Sequence, residues 1–175
     1  MPALIRNFLD KVPQIGARVF LAETAVVVGD VQLADDVNIW FGTVLRGDVG
    51  AIRIGARSNI QDLTMIHMTH GLSSAEIAED VTVGHSAVIH GAKVGRGALI
   101  GMGSILLDNA EIGERALVGA GSLVSAGSKV PPGTLVLGRP AKVVRELSKE
   151  ELDQGGFLAV RYLELARQHI ASLGG

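Results

Sequence analysis

The sequence contains no cysteine, which excludes disulfide bonds and thiolate metal ligands. Aromatic residues make up only 3% of the chain although 47% is hydrophobic, so its core must be built from Val, Ile, Leu and Ala. It has no cluster of Lys or Arg, and its net charge of −2 gives no electrostatic footprint for nucleic acid. The apolar N-terminus is interrupted by Arg6, Asp10 and Lys11, too broken for a signal peptide or membrane span. We therefore expect a cytoplasmic protein without a nucleic-acid or membrane partner.

What the 175 residues do contain is a repeat. Aliphatic side chains recur every six residues in the second half of the chain: Val94, Ile100, Leu106, Ile112, Val118, Val124, Val130 and Val136. A small residue follows four positions after each of the first seven: Ala98, Ser104, Ala110, Ala116, Ser122, Ser128 and Thr134. A period of six fits neither an amphipathic helix nor an alternating strand. It predicts a parallel β-coil of short strands joined by tight corners, with three six-residue units per coil.

In this coil we expect the aliphatic residue to fill the axis and the small residue to let the chain turn. Glycines such as Gly95, Gly101, Gly113 and Gly119 are expected to relieve corners that need unusual backbone angles. The repeat extends over about residues 19–141 and predicts six to seven coils within a β-helix domain of residues 1–147. General crossover sterics favour a right-handed coil.

The residues after the coil predict a helical tail over 148–175 that packs back on the outside of the β-helix. Ser148 and Glu151 have the spacing of a capping box. The pair Gly155-Gly156 is expected to break or bend the helix. An apolar stripe at helical spacing is interpreted as the face that contacts the coil; it consists of Phe157, Val160, Leu163, Ala166 and Ile170.

Four of the five histidines lie between residues 59 and 90. His67 and His85 are 18 residues apart, which predicts that they stack on neighbouring strands about 4.8 Å apart. His90 would then lie around the next corner and require a neighbouring subunit to complete a site. Three neutral imidazoles with a fourth position for water are the ligand set of a catalytic zinc site. The alternative is that each is an ordinary hydrogen-bonded surface histidine.

With the repeat and the histidines in view, the chain resembles the hexapeptide-repeat gamma-class carbonic anhydrases over essentially its whole length. The segments that carry the resemblance are Arg46-Gly47-Asp48, Asn59-Ile60-Gln61-Asp62, His67, Gly84-His85 and His90-Gly91. The resemblance implies an all-β fold, a left-handed parallel β-helix with a C-terminal α-helical tail, assembled as a homotrimer. It also implies a metal site at each subunit interface, with His67 and His90 from one chain and His85 from its neighbour.

The resemblance also assigns roles to the polar residues of these segments. It makes Arg46 and Asp48 an interface ion pair and Gln61 a hydrogen-bond partner of the metal-bound water or hydroxide. Asp62 and Asn59 would support the site, and Tyr162 would approach it from the C-terminal helix. Simpler interpretations are a solvated corner for the Arg-Gly-Asp segment, a turn hydrogen bond for Asn59 and helix packing for Tyr162.

The chain departs from the family in its proton-transfer machinery. Active members carry a long acidic loop with a proton-shuttling glutamate between the first and second metal histidines, and only 17 residues separate them here. A second active-site glutamate is replaced by Val49. His70, Glu76 or Glu79 could substitute, and His70 suits the role best by its ordinary pKa. A surface-loop histidine is the alternative interpretation of His70.

The leading hypothesis is a carbonic anhydrase that hydrates CO2 reversibly to bicarbonate with a metal-bound hydroxide at subunit interfaces. Zn²⁺ suits the three imidazoles, and Fe²⁺ or Co²⁺ would also suit them. One alternative is a trimeric metal-binding or accessory protein with little hydration activity. Another is a hexapeptide-repeat acyltransferase that uses a histidine as general base on coenzyme A substrates.

Overall fold

In the computed structural model, which describes residues 2–172, the chain forms a left-handed parallel β-helix followed by two C-terminal helices. Strands β1 to β10 are Leu4–Arg6, Gln14–Ile15, Phe20–Leu21, Val26–Leu33, Asn38–Ile39, Val44–Ile54, Asn59–Ile60, Met65–His67, Ala75–Ile77 and Thr82–Val83. Strands β11 to β20 are Val88–His90, Lys93–Val94, Leu99–Ile100, Ile105–Leu106, Glu111–Ile112, Leu117–Val118, Leu123–Val124, Lys129–Val130, Thr134–Gly138 and Ala141–Glu146. The helices are α1 (Lys149–Leu152) and α2 (Gln154–Ser172). Residues 1 and 173–175 of the predicted domains lie outside the described range.

One face of the coil is an eight-stranded sheet in the order β20-β19-β16-β13-β10-β7-β5-β3. Its strands are parallel except β20, which returns antiparallel to β19 and closes the stack. Each of the other seven contributes one coil, so the β-helix has seven coils. The other two faces form a twelve-stranded sheet, because the long strands β4 and β6 run continuously from one face to the next.

The aliphatic repeat fills the axis of the coil, as the sequence predicts. Val83, Ile100, Val118 and Val136 stack on successive coils of the eight-stranded face, and all are buried. Removing an aliphatic side chain of this size from water contributes roughly 1.5–3 kcal/mol. A core of such uniform side chains is continuous, which makes the coil a rigid support for residues on its outer surface.

The right-handed sense favoured by general crossover sterics is wrong for this chain, and the left-handed sense implied by the family resemblance is confirmed. The crossover rule describes long connections between neighbouring strands, usually through a helix. Here the chain turns instead at tight corners through single residues in the left-handed region, such as Asn109 (φ 59°) and Arg115 (φ 54°).

The role of small residues and glycines at the corners also differs from the prediction. The residues with positive φ immediately precede the small residues of the repeat, as Gly97 (φ 64°) precedes Ala98. The small residues themselves are mostly buried inside the coil. Gly95, predicted to relieve a corner, has no positive φ; a Cβ there would lie 2.7 Å from the backbone nitrogen of Glu114 on the next coil. Such glycines allow close approach between coils rather than unusual dihedral angles.

The capping box at the start of the tail is confirmed. The Glu151 N–H donates to Ser148 Oγ at 3.3 Å, and the Ser148 N–H donates to the Glu151 carboxylate at 2.8 Å. The helix breaks at Asp153, which separates α1 from α2, and not at Gly155-Gly156. Within residues 2–172 no helix is long and apolar enough to cross a membrane.

The predicted apolar stripe is only partly the packing face of α2. Its member Ala166 is buried, but Phe157 and Val160 are 64% and 61% exposed. The buried face consists of Gly155, Ala159 and Ala166, whose small size brings the helix close to the coil. The sequence prediction assumed that the most hydrophobic residues of the helix face the coil. Close packing here depends instead on short side chains, which leave room for Trp40 beneath the helix.

Candidate metal centre

His67 and His90 lie side by side on adjacent coils. They end strands β8 and β11, which pair in parallel register with His67 opposite His90, and their ring centroids are 5.5 Å apart. The prediction that His67 stacks on His85 is therefore wrong. The later coils repeat at 18 residues, as in Ile100 and Val118, whereas His67 and His90 are 23 apart. The loop between β8 and β9 absorbs the five additional residues (23 − 18 = 5).

His67 is held by the Arg-Gly-Asp segment of β6. Its Nε2 lies 3.0 Å from Asp48 Oδ1, and Arg46 Nη1 donates to Asp48 Oδ2 at 2.6 Å. Burial acts to raise the pKa of Asp48, but hydrogen bonds from Arg46 and His67 outweigh it, and the pKa is lowered. The carboxylate is thus an acceptor only, and it fixes the His67 proton on Nε2. Lys11 adds a hydrogen bond to the Asp48 carbonyl at 2.7 Å.

His85 lies at a different corner, two residues after the end of β10, where its side chain is 40% exposed. Its Nδ1 donates to Asp62 Oδ2 at 2.8 Å, and Asp62 occupies the equivalent corner of the preceding coil. On the other side of the ring, Tyr162 Oη lies 3.4 Å from His85 Nε2. His85 is therefore held from one side by the coil and from the other by the C-terminal helix.

Tyr162 is positioned by aromatic packing. Its ring meets Trp40 edge to face with centroids 5.3 Å apart, and Trp40 also packs against Phe20. Burial, with the charge of Asp62, raises the pKa of Tyr162. The hydroxyl consequently stays protonated at neutral pH and can donate to the unprotonated nitrogen of His85.

His90 meets a carboxylate that the sequence prediction did not include. Asp108 lies on the next coil, exactly one 18-residue repeat after His90, and its Oδ2 is 3.2 Å from His90 Nδ1. Thr69 and Ser73 from the loop between β8 and β9 also donate to Asp108. The spacing of 18 residues from a candidate ligand is the sequence signal that could have identified it.

Gln61 and Asn59 form a buried polar pair on β7 and just after it. Gln61 Nε2 donates to Asn59 Oδ1 at 3.1 Å, and Asn59 Nδ2 donates to Thr82 Oγ1 at 2.8 Å. Thr82 in turn donates to the carbonyl of Gly155 in α2 at 3.0 Å. The side chain of Gln61 is therefore linked by three hydrogen bonds to the helix that carries Tyr162.

The candidate proton carriers lie in separate surroundings. His70 is exposed in the loop after β8, with Nδ1 3.2 Å from the carbonyl of Val49. Glu76 accepts from Ser74 at 2.9 Å and faces Lys93 at 3.4 Å. Glu79 pairs with Arg57 at 2.9 Å. The carboxylates of Glu76 and Glu79 are both paired with cations, whereas His70 has a partner only at Nδ1 among residues 2–172.

The donor set partly fits a metal ion. His90 and His85 each commit Nδ1 to a carboxylate, so Nε2 is the nitrogen available as a ligand. To bind through Nε2, His67 would lose the proton that Nε2 donates to Asp48, and the ion would take the place of that proton. Within residues 2–172 of one chain, no group of three metal-binding side chains comes together. One chain thus brings two imidazoles together and carries the third at another corner.

The sequence of this chain is similar to those of known proteins. The family model described as bacterial transferase hexapeptide (six repeats) matches residues 91–126. A carbonic anhydrase from Geobacillus kaustophilus is 47% identical over 168 residues, covering 96% of this chain and 92% of that protein. Gamma carbonic anhydrase 2, mitochondrial, from Arabidopsis thaliana is 43% identical over 170 residues, covering 94% of this chain and 61% of that protein.

A solved structure is similar over almost the whole chain. The product of the Bacillus cereus BC4754 gene, a suggested acetyltransferase, superposes with a TM-score of 0.94 at 44% identity, covering 99% of both chains. The solved structure therefore has this chain's architecture. The names of these similar proteins fall into two enzyme classes, carbonic anhydrase and acetyltransferase.

Proposed function

Because the chain belongs to the gamma carbonic anhydrase family, we propose that it catalyses the reversible hydration of CO2 to bicarbonate. In this proposal it acts as a cytoplasmic homotrimer with a metal site at each subunit interface. His67 and His90 of one subunit bind the metal together with His85 of the next. The small-molecule substrate enters between the subunits.

The observation that carries the proposal is the distribution of the histidines. His67 and His90 are in strand register with their ring centroids 5.5 Å apart, while His85 lies at another corner of the β-helix. His85 and His90 each hold a carboxylate on Nδ1, the arrangement that is usual behind a ligating histidine, whereas His67 faces Asp48 through Nε2. A site shared between copies explains why one chain holds an incomplete set.

The donor chemistry suits Zn²⁺ and equally Fe²⁺ or Co²⁺, since imidazole nitrogen binds all three. When bound, such an ion supplies Lewis acidity that makes water a nucleophile near neutral pH. The chain's own residues then orient the reactants. Gln61 is fixed through Asn59 and would hold a water or a CO2 oxygen in the assembled site, and the Arg46–Asp48 pair would support His67 at the interface.

Each hydration turnover releases a proton, and the chain must carry that proton to solvent. In the absence of the long acidic loop, we assign this transfer to His70, because imidazole can both take up and release a proton near neutral pH. It lies on the loop that follows His67 and is exposed. This assignment predicts that proton transfer, not metal binding, limits turnover.

The test is stopped-flow CO2 hydration on anaerobically purified protein, with metal content measured on the same sample and His85→Ala as the comparison. Metal-dependent hydration that disappears in His85→Ala together with the metal is the expected result. Unchanged metal content in His85→Ala would overturn the shared site. A His70→Ala variant should keep its metal and lose rate in weak buffer, and added imidazole buffer should restore it.

Two other functions give different results in these assays. Full metal occupancy with hydration no faster than in His67→Ala would favour a metal-binding or accessory protein. The similarity to a suggested acetyltransferase motivates a thiol-release assay with acetyl-coenzyme A and amine or hydroxyl acceptors. Thiol release that requires His90 but no metal would favour the acyltransferase.

A further inference from the structure

Asp108 is a carboxylate outside the motifs that suggested the metal site, yet it contacts one of the three histidines directly. We propose that Asp108 is a positioning residue: it holds the His90 imidazole with Nδ1–H toward the carboxylate and so directs Nε2 to the metal. This inference rests on the proposed function in one respect, that His90 is a metal ligand.

The contacts of Asp108 determine which nitrogen of His90 carries the proton. Oδ2 lies 3.2 Å from His90 Nδ1 and accepts from Thr69 Oγ1 at 2.9 Å. Oδ1 accepts from Ser73 Oγ and from the Thr69 N–H, the latter at 3.3 Å. Every partner other than His90 is a donor to the carboxylate, and the carboxylate itself can only accept when ionised. His90 Nδ1 must therefore donate, which leaves Nε2 with a free lone pair.

The Asp108 side chain is only 17% exposed, and Thr69 and Ser73 both donate to it. These donors hold the carboxylate in place beside His90.

Gly91 provides the space for this arrangement. A Cβ at Gly91 would overlap Ser73 Oγ and Asp108 Oδ1, and its φ of 64° lies in the left-handed region. A glycine after His90 therefore allows the carboxylate and the loop hydroxyl to approach the end of β11. The His-Gly pair that helped identify the family has a physical reason in this packing.

Asp108 also ties down the loop between β8 and β9 through Thr69 and Ser73, so anchoring this loop is the competing role. The two roles separate by substitution. Asp108→Ala removes both the loop anchor and the partner of His90. The double variant Thr69→Val/Ser73→Ala removes the side-chain anchors of the loop and leaves Asp108 facing His90.

The first measurement uses the metal-free wild-type protein, so it does not depend on a variant that folds. Long-range ¹H–¹⁵N NMR at pH ~8, above the ordinary histidine pKa of ~6.5, should show His90 protonated on Nδ1 and unprotonated on Nε2. A His90 that is mainly protonated on Nε2 would overturn the proposal. In Asp108→Ala the preference for Nδ1–H should be lost, and in Thr69→Val/Ser73→Ala it should persist.

The second measurement is metal affinity by competition with a chelator, using Zn²⁺ as the probe. Asp108→Ala is expected to weaken Zn²⁺ binding about 10–100-fold, the range for losing a carboxylate behind a ligating histidine. The loop double variant should weaken it much less. Equal losses in the two variants, or wild-type affinity in Asp108→Ala, would show that Asp108 only anchors the loop or has no role.

Failure of this inference is distinguishable from failure of the proposed function. His90→Ala measured beside the other variants tests whether His90 is a ligand at all. If His90→Ala binds Zn²⁺ as tightly as wild type, the proposed site is wrong. If His90→Ala loses Zn²⁺ while Asp108→Ala retains it, only the role of Asp108 is wrong.

Discussion

The imidazoles of His67 and His90 face each other across adjacent coils, in direct strand register and with ring centroids 5.5 Å apart. His85 is held at a separate corner by Asp62 and Tyr162. In a cyclic trimer each interface is heterologous, which means that it joins two different surface patches. Such an interface would bring the two imidazoles on one patch of a subunit to the third imidazole on the other patch of its neighbour. The arrangement makes a specific prediction about mixed assemblies.

Subunits that carry His67→Ala and subunits that carry His85→Ala should complement each other. Each variant alone lacks a ligand at every interface. After co-refolding in equal amounts, roughly one quarter of the interfaces should combine intact ligands from both kinds of subunit, as expected for random assembly of a cyclic trimer. Metal content and hydration rate of the mixture should recover to about that fraction of wild type.

The matched control mixes His67→Ala with His90→Ala subunits. These two ligands come from the same subunit, so no random assembly restores a full set. Recovery in this control, or none in the first mixture, would contradict a site in which His67 and His90 act together and His85 comes from the neighbour.

Tyr162→Phe should bind metal more tightly than wild type. The Tyr162 hydroxyl lies 3.4 Å from His85 Nε2 and competes for the nitrogen that would bind the metal. A net hydrogen bond contributes about 0.5–1.5 kcal/mol, so its loss should raise the Zn²⁺ affinity several-fold. Chelator competition measures this change. The phenyl ring can still pack on Trp40, so an unchanged thermal midpoint serves as the control for folding.

A weaker affinity in folded Tyr162→Phe would contradict this competition. It would assign the hydroxyl a supporting role at the metal site. Tyr162→Leu, which also removes the ring from Trp40, separates loss of packing from loss of the hydroxyl.

Gly155→Ala should destabilise the docked helix, and Gly156→Ala should not. A Cβ at Gly155 would overlap the carbonyl of Gly97, whereas one at Gly156 has no neighbour within 4 Å. Overpacking of this kind typically costs about 1–3 kcal/mol. Gly156→Ala should instead stabilise α2, by up to about 1 kcal/mol from helix propensity.

Denaturant unfolding measures both changes, and the fluorescence of Trp40 reports whether α2 is docked, because α2 supplies Tyr162 to the ring of Trp40. Equal free energies of unfolding for the two variants would mean that α2 does not depend on close approach at Gly155.

Arg57→Met should lower stability at neutral pH and have little effect in acid. Arg57 donates to both oxygens of Asp80 at 2.6 and 2.9 Å. These hydrogen bonds lower the pKa of Asp80 below its unfolded value of ~3.9. The contribution is therefore complete above the unfolded pKa and is lost as pH falls through the folded pKa.

Because Arg57 is partly exposed, we expect a difference of about 1 kcal/mol or less at pH ~7. Urea unfolding of wild type and Arg57→Met across pH measures it. A difference that stays constant below the unfolded pKa would mean that Arg57 stabilises the coil through packing of its aliphatic stem and not through Asp80.

The coil could be predicted from the sequence alone, and the candidate site residues could be proposed from it. A six-residue aliphatic period fits a parallel β-coil, so the period alone predicts that Ile100 and Val118 lie on the axis. The capping box at Ser148 was equally local, since it involves residues three positions apart. The Arg-Gly-Asp segment and the three histidines were recognisable by type and order.

Which of these residues are in contact depends on the tertiary structure. The loop between β8 and β9 lengthens its coil, so His67 meets His90 and not His85. Asp108 reaches His90 from the next coil, and Thr82 links Asn59 to a helix more than 70 residues later. The packing face of α2 likewise depends on short side chains opposite Trp40. The repeat follows from a local period in the sequence. Contacts between coils depend instead on the length of every turn between them. At the loop between β8 and β9 the aliphatic period is interrupted, so the sequence pattern does not predict which residues pair across it.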